Sequence, residues 1–247
     1  MDDPLQPPSP LSSSLPTLTP IPSLPPTISY LPSFLTPSEE SHILHSLPDQ
    51  KWTPLTHRRL QAHPSPLTKS GTLLASPLPS YLSNPILERF TNLGVFTSSP
   101  HGTANHCLVN EYAPGQGIMP HEDGGTYFPV TATVSLGGAV VLDIYDKGGQ
   151  GEGQGGTEGR KWRILQERGS LLVTQGEVYG GTLHGIAEVE VDEHLGPETV
   201  ANWELLGEKE RWEAEGRNVR VTRTSLTYRD VVKVSDAGRR ILGGGRR

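Results

Sequence analysis

Between residues 106 and 229 the chain is cut into short runs rich in β-branched residues, and this pattern constrains the fold more than any other feature. The runs are H-C-L-V-N-E-Y, V-T-A-T-V-S-L, A-V-V-L-D-I-Y, W-R-I-L, S-L-L-V-T, A-E-V-E-V and V-R-V-T-R-T-S-L-T-Y-R, separated by Gly or Pro turns. Seven such strands with no helix-period segment between them predict an antiparallel sandwich or jelly roll. Composition agrees: 28 Gly and 23 Pro in 247 residues, with 34% hydrophobic, favour turns and strands over helical bundles.

Ahead of this β region, helices are expected to flank the sheets. T-P-S-E supplies Thr36 as N-cap, Pro37 at the first helical position and Glu39 to complete a capping box, which predicts a helix over 37–46. P-I-L-E-R-F-T-N-L predicts a second, opened by Pro85. I-S-Y-L-P-S-F-L (28–35) reads as a short strand, and 52–85, which carries R-R-L-Q, as irregular. Residues 1–27, with Pro-Pro at 7 and at 25, read as a disordered tail, leaving one folded domain over 28–235. Two insertions interrupt that domain, a glycine-rich one at 148–159 and an acidic one at 192–218 expected to be a solvated surface loop. Residues 236–247 form a basic tail.

Charge and cysteine usage bound the partners. The net charge of −6 is uneven, since residues 188–215 hold ten Asp or Glu against two basic residues and the remainder is mildly basic. A polyanionic partner is therefore neither demanded nor excluded. The single cysteine, Cys107, permits no internal disulfide and no cysteine zinc cluster, and fits the reducing cytoplasm and nucleus. No apolar run is long enough for a membrane span, and the prolines of 1–27 break any signal-peptide core.

Within G-I-M-P-H-E-D-G-G, His121 and Asp123 are two apart, so an extended backbone turns both to one side and Glu122 away. Alone the pair is weak, because nine histidines make a chance His-x-Asp common. His184, in Y-G-G-T-L-H-G-I, adds a third donor. Two His and one carboxylate leave positions open on an octahedral ion, as in non-haem Fe(II) oxygenases, whereas a structural zinc site closes four ligands. In R-T-S-L-T-Y-R, Arg223, Ser225, Thr227 and Arg229 share one strand face, and an Arg fork suits the carboxylate of a cosubstrate such as 2-oxoglutarate. Asn110 and Tyr112 share a face of another strand, either to hold carboxylates by hydrogen bonds or to cap and pack.

Taken in order, Asn110-x-Tyr112-Ala-Pro-Gly, Met119-Pro-His121-x-Asp123, Leu183-His184-Gly-Ile186 and Arg223-x-Ser225-x-Thr227-x-Arg229 resemble the AlkB family of Fe(II)/2-oxoglutarate dioxygenases. N-E-Y-A-P-G-Q-G-I-M-P-H-E-D-G, with V-S-L-G, V-L-D-I-Y and the upstream R-R-L-Q, is most similar to the sixth eukaryotic subgroup. The resemblance spans roughly residues 28–232. It implies a mostly β double-stranded β-helix (jelly roll), Fe(II) on His121, Asp123 and His184, and 2-oxoglutarate on Asn110, Tyr112, Arg223, Ser225 and Arg229, with O2 as second cosubstrate. No catalytic residue beyond the metal ligands is implied. Ser225 departs from the best-known members, which carry Asn there, so a contact at that position is expected to be shorter or bridged by water.

The activity expected is oxidative demethylation or hydroxylation of an alkylated base in DNA or RNA, with Arg58 and Arg59 as candidate phosphate contacts. A dioxygenase acting on a protein side chain and a catalytically idle jelly roll that binds nucleic acid or a partner are the alternatives.

Overall fold

The computed structural model describes residues 17–147 and 161–236. The glycine-rich insertion, residues 1–16 of the N-terminal tail and all but the first residue of the basic tail lie outside them. Two antiparallel sheets carry the fold. In spatial order the larger holds Thr19–Pro20, Ile28–Leu31, Leu171–Gln175, Tyr127–Leu136, Arg223–Val231, His106–Tyr112, Arg58–His63 and Thr53–Leu55. The smaller holds Lys161–Gln166, Val140–Asp146, Thr182–Ile186 and Ile118–His121. Strands adjacent in space come from distant stretches of chain, as in a jelly roll.

Alternation along each large-sheet strand splits its two faces. Cys107, Val109, Ala132, Val134, Leu171, Val173, Leu226 and Tyr228 point outward into one core. Phe34, Ile43, Leu82, Ile86 and Phe90 cover that core from the helical side, burying the apolar surface that drives the packing. The opposite face looks toward the smaller sheet and is polar along its middle: Asn110, Thr131, Thr133, Ser225, Thr227, Arg223 and Arg229 all line one cavity with Leu142, Ile144 and His184 of the smaller sheet. A β residue alternates by chemistry as well as direction here, apolar for the helices and polar for the cavity.

The covering helix Pro37–Ser46 forms where the capping box predicts it, with the Thr36 side chain on Glu39 N and the Glu39 carboxylate on Thr36 N. Pro85 precedes Ile86–Asn92, and a short helix, Ser80–Ser83, comes before it. The predicted strand 28–35 is paired only over Ile28–Leu31, after which Phe34 and Leu35 turn into the core.

Three expectations need correction. The ordered chain begins before residue 28: Thr19 pairs with Tyr30, and Ile21 and Leu24 are buried, because their apolar side chains cover the end of the smaller core despite the prolines between them. Residues 52–85 contain the strand Arg58–His63, which pairs with His106–Tyr112. The acidic insertion is not a solvated loop, since Leu195, Val200, Trp203, Leu206 and Trp212 are buried against the smaller sheet's core. Its anchor is Glu167, a 4% exposed carboxylate that accepts from Tyr30 Oη at 2.9 Å, Gly207 N and Glu208 N at 2.8 Å and Trp212 Nε1 at 2.9 Å. Apart from Asp192, which is buried against Arg220, the insertion's carboxylates face water while the tryptophans carry the packing.

Candidate active site

His121 ends the strand Ile118–His121, Asp123 follows in the next turn, and His184 is central in Thr182–Ile186. The two strands pair with His184 directly opposite His121, which brings residues some sixty positions apart to one point. The imidazole centroids are 4.4 Å apart, and His184 Nε2 is 4.0 Å from Asp123 Oδ1. One donor atom from each of the three residues lies within 4.8 Å of the others. Gly117 and Gly185 permit this approach: a Cβ on Gly117 would be 2.2 Å from the Ile186 carbonyl oxygen, and one on Gly185 3.0 Å from that of Ile118. Glu122 turns outward to Lys147, 2.5 Å away, and Gly124, at φ +79°, lets the chain leave the site.

The surroundings prepare each of the three as a metal ligand. His121 Nδ1 is 2.9 Å from the Met119 carbonyl, and because a carbonyl only accepts, Nδ1 is the donor there, which leaves Nε2 as the ring nitrogen that could meet a metal. Burial pulls the His184 imidazole down to about 4, so it is neutral near pH 7. Burial works to raise the Asp123 carboxyl but is outweighed by Arg229, His184 and Thr131, which hold it below its ordinary range. Thr131 Oγ1 donates to Asp123 Oδ2 at 2.8 Å, and Arg229 Nη2 donates to Asp123 Oδ1. Two imidazoles and a carboxylate converging on one side of a cavity fit a divalent ion with positions left for other ligands.

At the far end of the same strand, Arg223 is 3% exposed. Its Nε donates to Ser135 Oγ at 2.9 Å and its Nη2 to Gln166 Oε1 at 2.8 Å. Both partners are neutral, and burial draws this guanidinium down to about 10. Arg223 pairs across the ladder with Tyr112 and Ser225 with Asn110, so the cluster shares one wall. Arg229 is six residue steps along the strand from Arg223, about 20 Å. The two arginines therefore serve different ends of the cavity, Arg229 the carboxylate of Asp123 and Arg223 the remote wall.

Arg58 lines the cavity and its Nε donates to Asn110 Oδ1 at 3.1 Å. Arg59 does not reach it: alternation turns it to the other face, where it pairs with Glu111 at 2.6 Å and lies 4.3 Å from the centre of the Trp52 ring. Thr131, Ser135, Gln166 and Tyr179 were not singled out from sequence. The first two had a readable signal, since V-T-A-T-V-S-L alternates hydroxyls with aliphatics. Gln166 and Tyr179 had none, because Gln166 acts by accepting from Arg223 and Tyr179 Oη by donating to the Gly124 carbonyl at 3.1 Å, next to Asp123, contacts between residues distant in sequence.

No family model matches the chain. Over 216 residues it is 39% identical to a Danio rerio protein described as "Probable RNA/DNA demethylase ALKBH6", covering 85% of this chain and 88% of that one. A protein of Acanthamoeba polyphaga mimivirus, "Uncharacterized protein L905", is 25% identical over 210 residues, covering 83% and 85%. Among solved structures, "The structure of OsALKBH1" aligns with a TM-score of 0.49 at 15% identity, covering 84% of this chain and 98% of that one.

Proposed function

Because the chain belongs to the AlkB family of Fe(II)/2-oxoglutarate-dependent dioxygenases, and so to the oxidoreductases, we propose that it oxidises an alkylated base of DNA or RNA at the alkyl carbon, by demethylation or hydroxylation. The observation that carries this reading is the cavity itself: three convergent metal donors at one end, and at the other a buried arginine whose hydrogen bonds among the described residues go to a hydroxyl and an amide. His121, Asp123 and His184 would hold Fe(II), which would supply the redox chemistry that couples O2 to 2-oxoglutarate. Thr131 and Arg229 hold the Asp123 carboxylate in one orientation, and the Met119 carbonyl holds the His121 ring.

Arg223 offers its fork to the distal carboxylate of 2-oxoglutarate, with Asn110, Tyr112 and Ser225 as neutral donors along the same wall. The cavity lies between two sheets, so a base must leave its stack or come from a single strand to reach the metal end. Of the two candidate phosphate contacts, Arg58 lines the cavity and would be the one to meet an incoming phosphate, whereas Arg59 is engaged on the other face. The Danio rerio relative, by its description a probable RNA/DNA demethylase, supports nucleic acid as the substrate class.

The test is succinate release by the Fe(II)-loaded protein with 2-oxoglutarate and O2, in the presence of single-stranded oligonucleotides carrying N-methylated bases. Parent protein is expected to remove the methyl group, while His121→Ala, Asp123→Ala and His184→Ala lose turnover by at least about 100-fold and keep the parent far-UV circular dichroism. Turnover that survives His184→Ala unchanged overturns the metal assignment. Succinate release stimulated by a peptide and not by any oligonucleotide would move the substrate to a protein side chain.

A further inference from the structure

Arg58 touches the cosubstrate wall although it stands away from the metal. It opens the strand Arg58–His63, whose register sets Leu60 opposite Asn110 and Arg59 opposite Glu111. Alternation therefore sends Arg58 to the cavity face and Arg59 to the other. The Arg59 ion pair with Glu111 and the backbone ladder hold the strand in place independently of Arg58.

Arg58 Nε donates to Asn110 Oδ1 at 3.1 Å. A guanidinium is a donor at every nitrogen and accepts nothing, so the carboxamide atom it meets must be the oxygen. That single contact decides which way the Asn110 amide is turned. Its two N–H donors have no protein acceptor among the described residues and belong to the cavity side, where Asn110 is part of the lining. A freely rotating carboxamide would present oxygen to an incoming carboxylate as readily as nitrogen, and the first is repulsive.

We propose that Arg58 is a positioning residue for 2-oxoglutarate: by holding the Asn110 oxygen, it presents the Asn110 N–H donors to a cosubstrate carboxylate. This rests on the reading of the cavity as a 2-oxoglutarate site and adds to it the residue that orients one of its donors.

Two substitutions isolate the role. In Arg58→Gln the amide nitrogen occupies the same chain position as Nε, bonded to Cδ, so a donor remains and the charge is gone. In Arg58→Met a methyl group stands there. The measurement is the dissociation constant of 2-oxoglutarate for the full chain loaded with Fe(II) under anaerobic conditions without nucleic acid, followed by calorimetry. Arg58→Met is expected to bind 2-oxoglutarate about tenfold more weakly and Arg58→Gln within about threefold of the parent. Asn110→Ala and Arg58→Met/Asn110→Ala are expected to bind it equally, because Arg58 acts through Asn110. In turnover, Arg58→Met should raise KM for 2-oxoglutarate with kcat near the parent's.

Equal weakening by Gln and Met would assign Arg58 a charge effect and overturn the proposal, as would parent-like binding by Arg58→Met or additive losses in the double variant. If the parent itself binds no 2-oxoglutarate, the cosubstrate reading fails first and this inference with it. If the parent binds normally and only the Arg58 comparison fails, the cosubstrate reading stands alone.

Discussion

At the scale of single residues, Arg223 is the group whose environment says most about what the cavity is for. A guanidinium 3% exposed, whose hydrogen-bond partners among the described residues are a hydroxyl and an amide, keeps a desolvation cost that Tyr112 and the more distant Asp192 offset only in part. Its depressed pKa, about 10, expresses the same cost. An anionic ligand carboxylate would offset the remainder. Arg223→Met should then separate stability from binding. The unfolding free energy is expected to stay within about 1 kcal/mol of the parent's, since the cost of burying a charge is removed together with two hydrogen bonds. Binding of 2-oxoglutarate is expected to weaken by more than about tenfold, since a charge-assisted pair is lost. Urea denaturation and anaerobic titration measure the two. A large loss of stability with cosubstrate affinity intact would mean that Arg223 is a structural cation.

At the scale of elements, the metal end depends on two short strands that the sequence pattern does not announce. Ile118–His121 has four residues and contains Pro120, and Thr182–Ile186 contains Gly185, so neither shows the β-branched alternation that marked the other runs. Both are strands because of what pairs with them: Thr182–Ile186 takes Val140–Asp146 on one side and Ile118–His121 on the other. Pro120 is tolerated because its strand is the sheet's edge and needs no ladder bond outward. The residue types of the site were therefore legible from H-x-D and the distant His184, while the pairing that unites them was not. A-E-V-E-V erred in the opposite direction. It has the alternation of a strand, yet within it only Val191 lies in a ladder, through the short strand Val191–Asp192, while Val189 O and Glu190 O take isolated bonds from Gly115 N and Arg220 N. Gly117→Ala tests the pairing directly. A Cβ 2.2 Å from the Ile186 carbonyl oxygen must push the edge strand outward and carry His121 with it. Affinity for Fe(II) is expected to fall by about tenfold or more, with the unfolding midpoint lowered only modestly because the larger sheet is untouched. Parent-like metal affinity in Gly117→Ala would show that His121 is not positioned by this close approach.

At the scale of the whole molecule, the jelly roll was legible because most of its large-sheet strands keep an apolar face for the helices. The cavity was partly legible, because the polar faces of 223–229 and 130–136 share the same period. Burial of titratable groups was not legible, since it depends on which loops close over which strand ends, and it sets how the fold responds to acid. His63, His106 and His184 are each drawn down to about 4, in every case first by burial, to which Lys51 adds at His63 and Arg229 at His106. A histidine with a depressed folded pKa binds fewer protons folded than unfolded between about 6.5 and 4, so stability in that window falls as pH falls. Above about 6.5 both states are neutral and these groups contribute nothing to the slope. The carboxylates held low, Asp123 and Glu39, act in the same direction but lose their contribution only near and below about 4, so the two sets separate along the pH axis. The metal-free protein should therefore keep a flat stability profile from pH 8 to 7 and lose on the order of 1 kcal/mol per buried histidine by pH 5. Urea midpoints taken at half-unit steps measure the slope. His63 is the group to replace, because it is 0% exposed and packs on the face away from the metal donors, near Tyr81. His63→Gln is expected to flatten the profile between pH 6.5 and 5 by about a third, and a slope that is unchanged in that variant would assign the acid sensitivity to other groups.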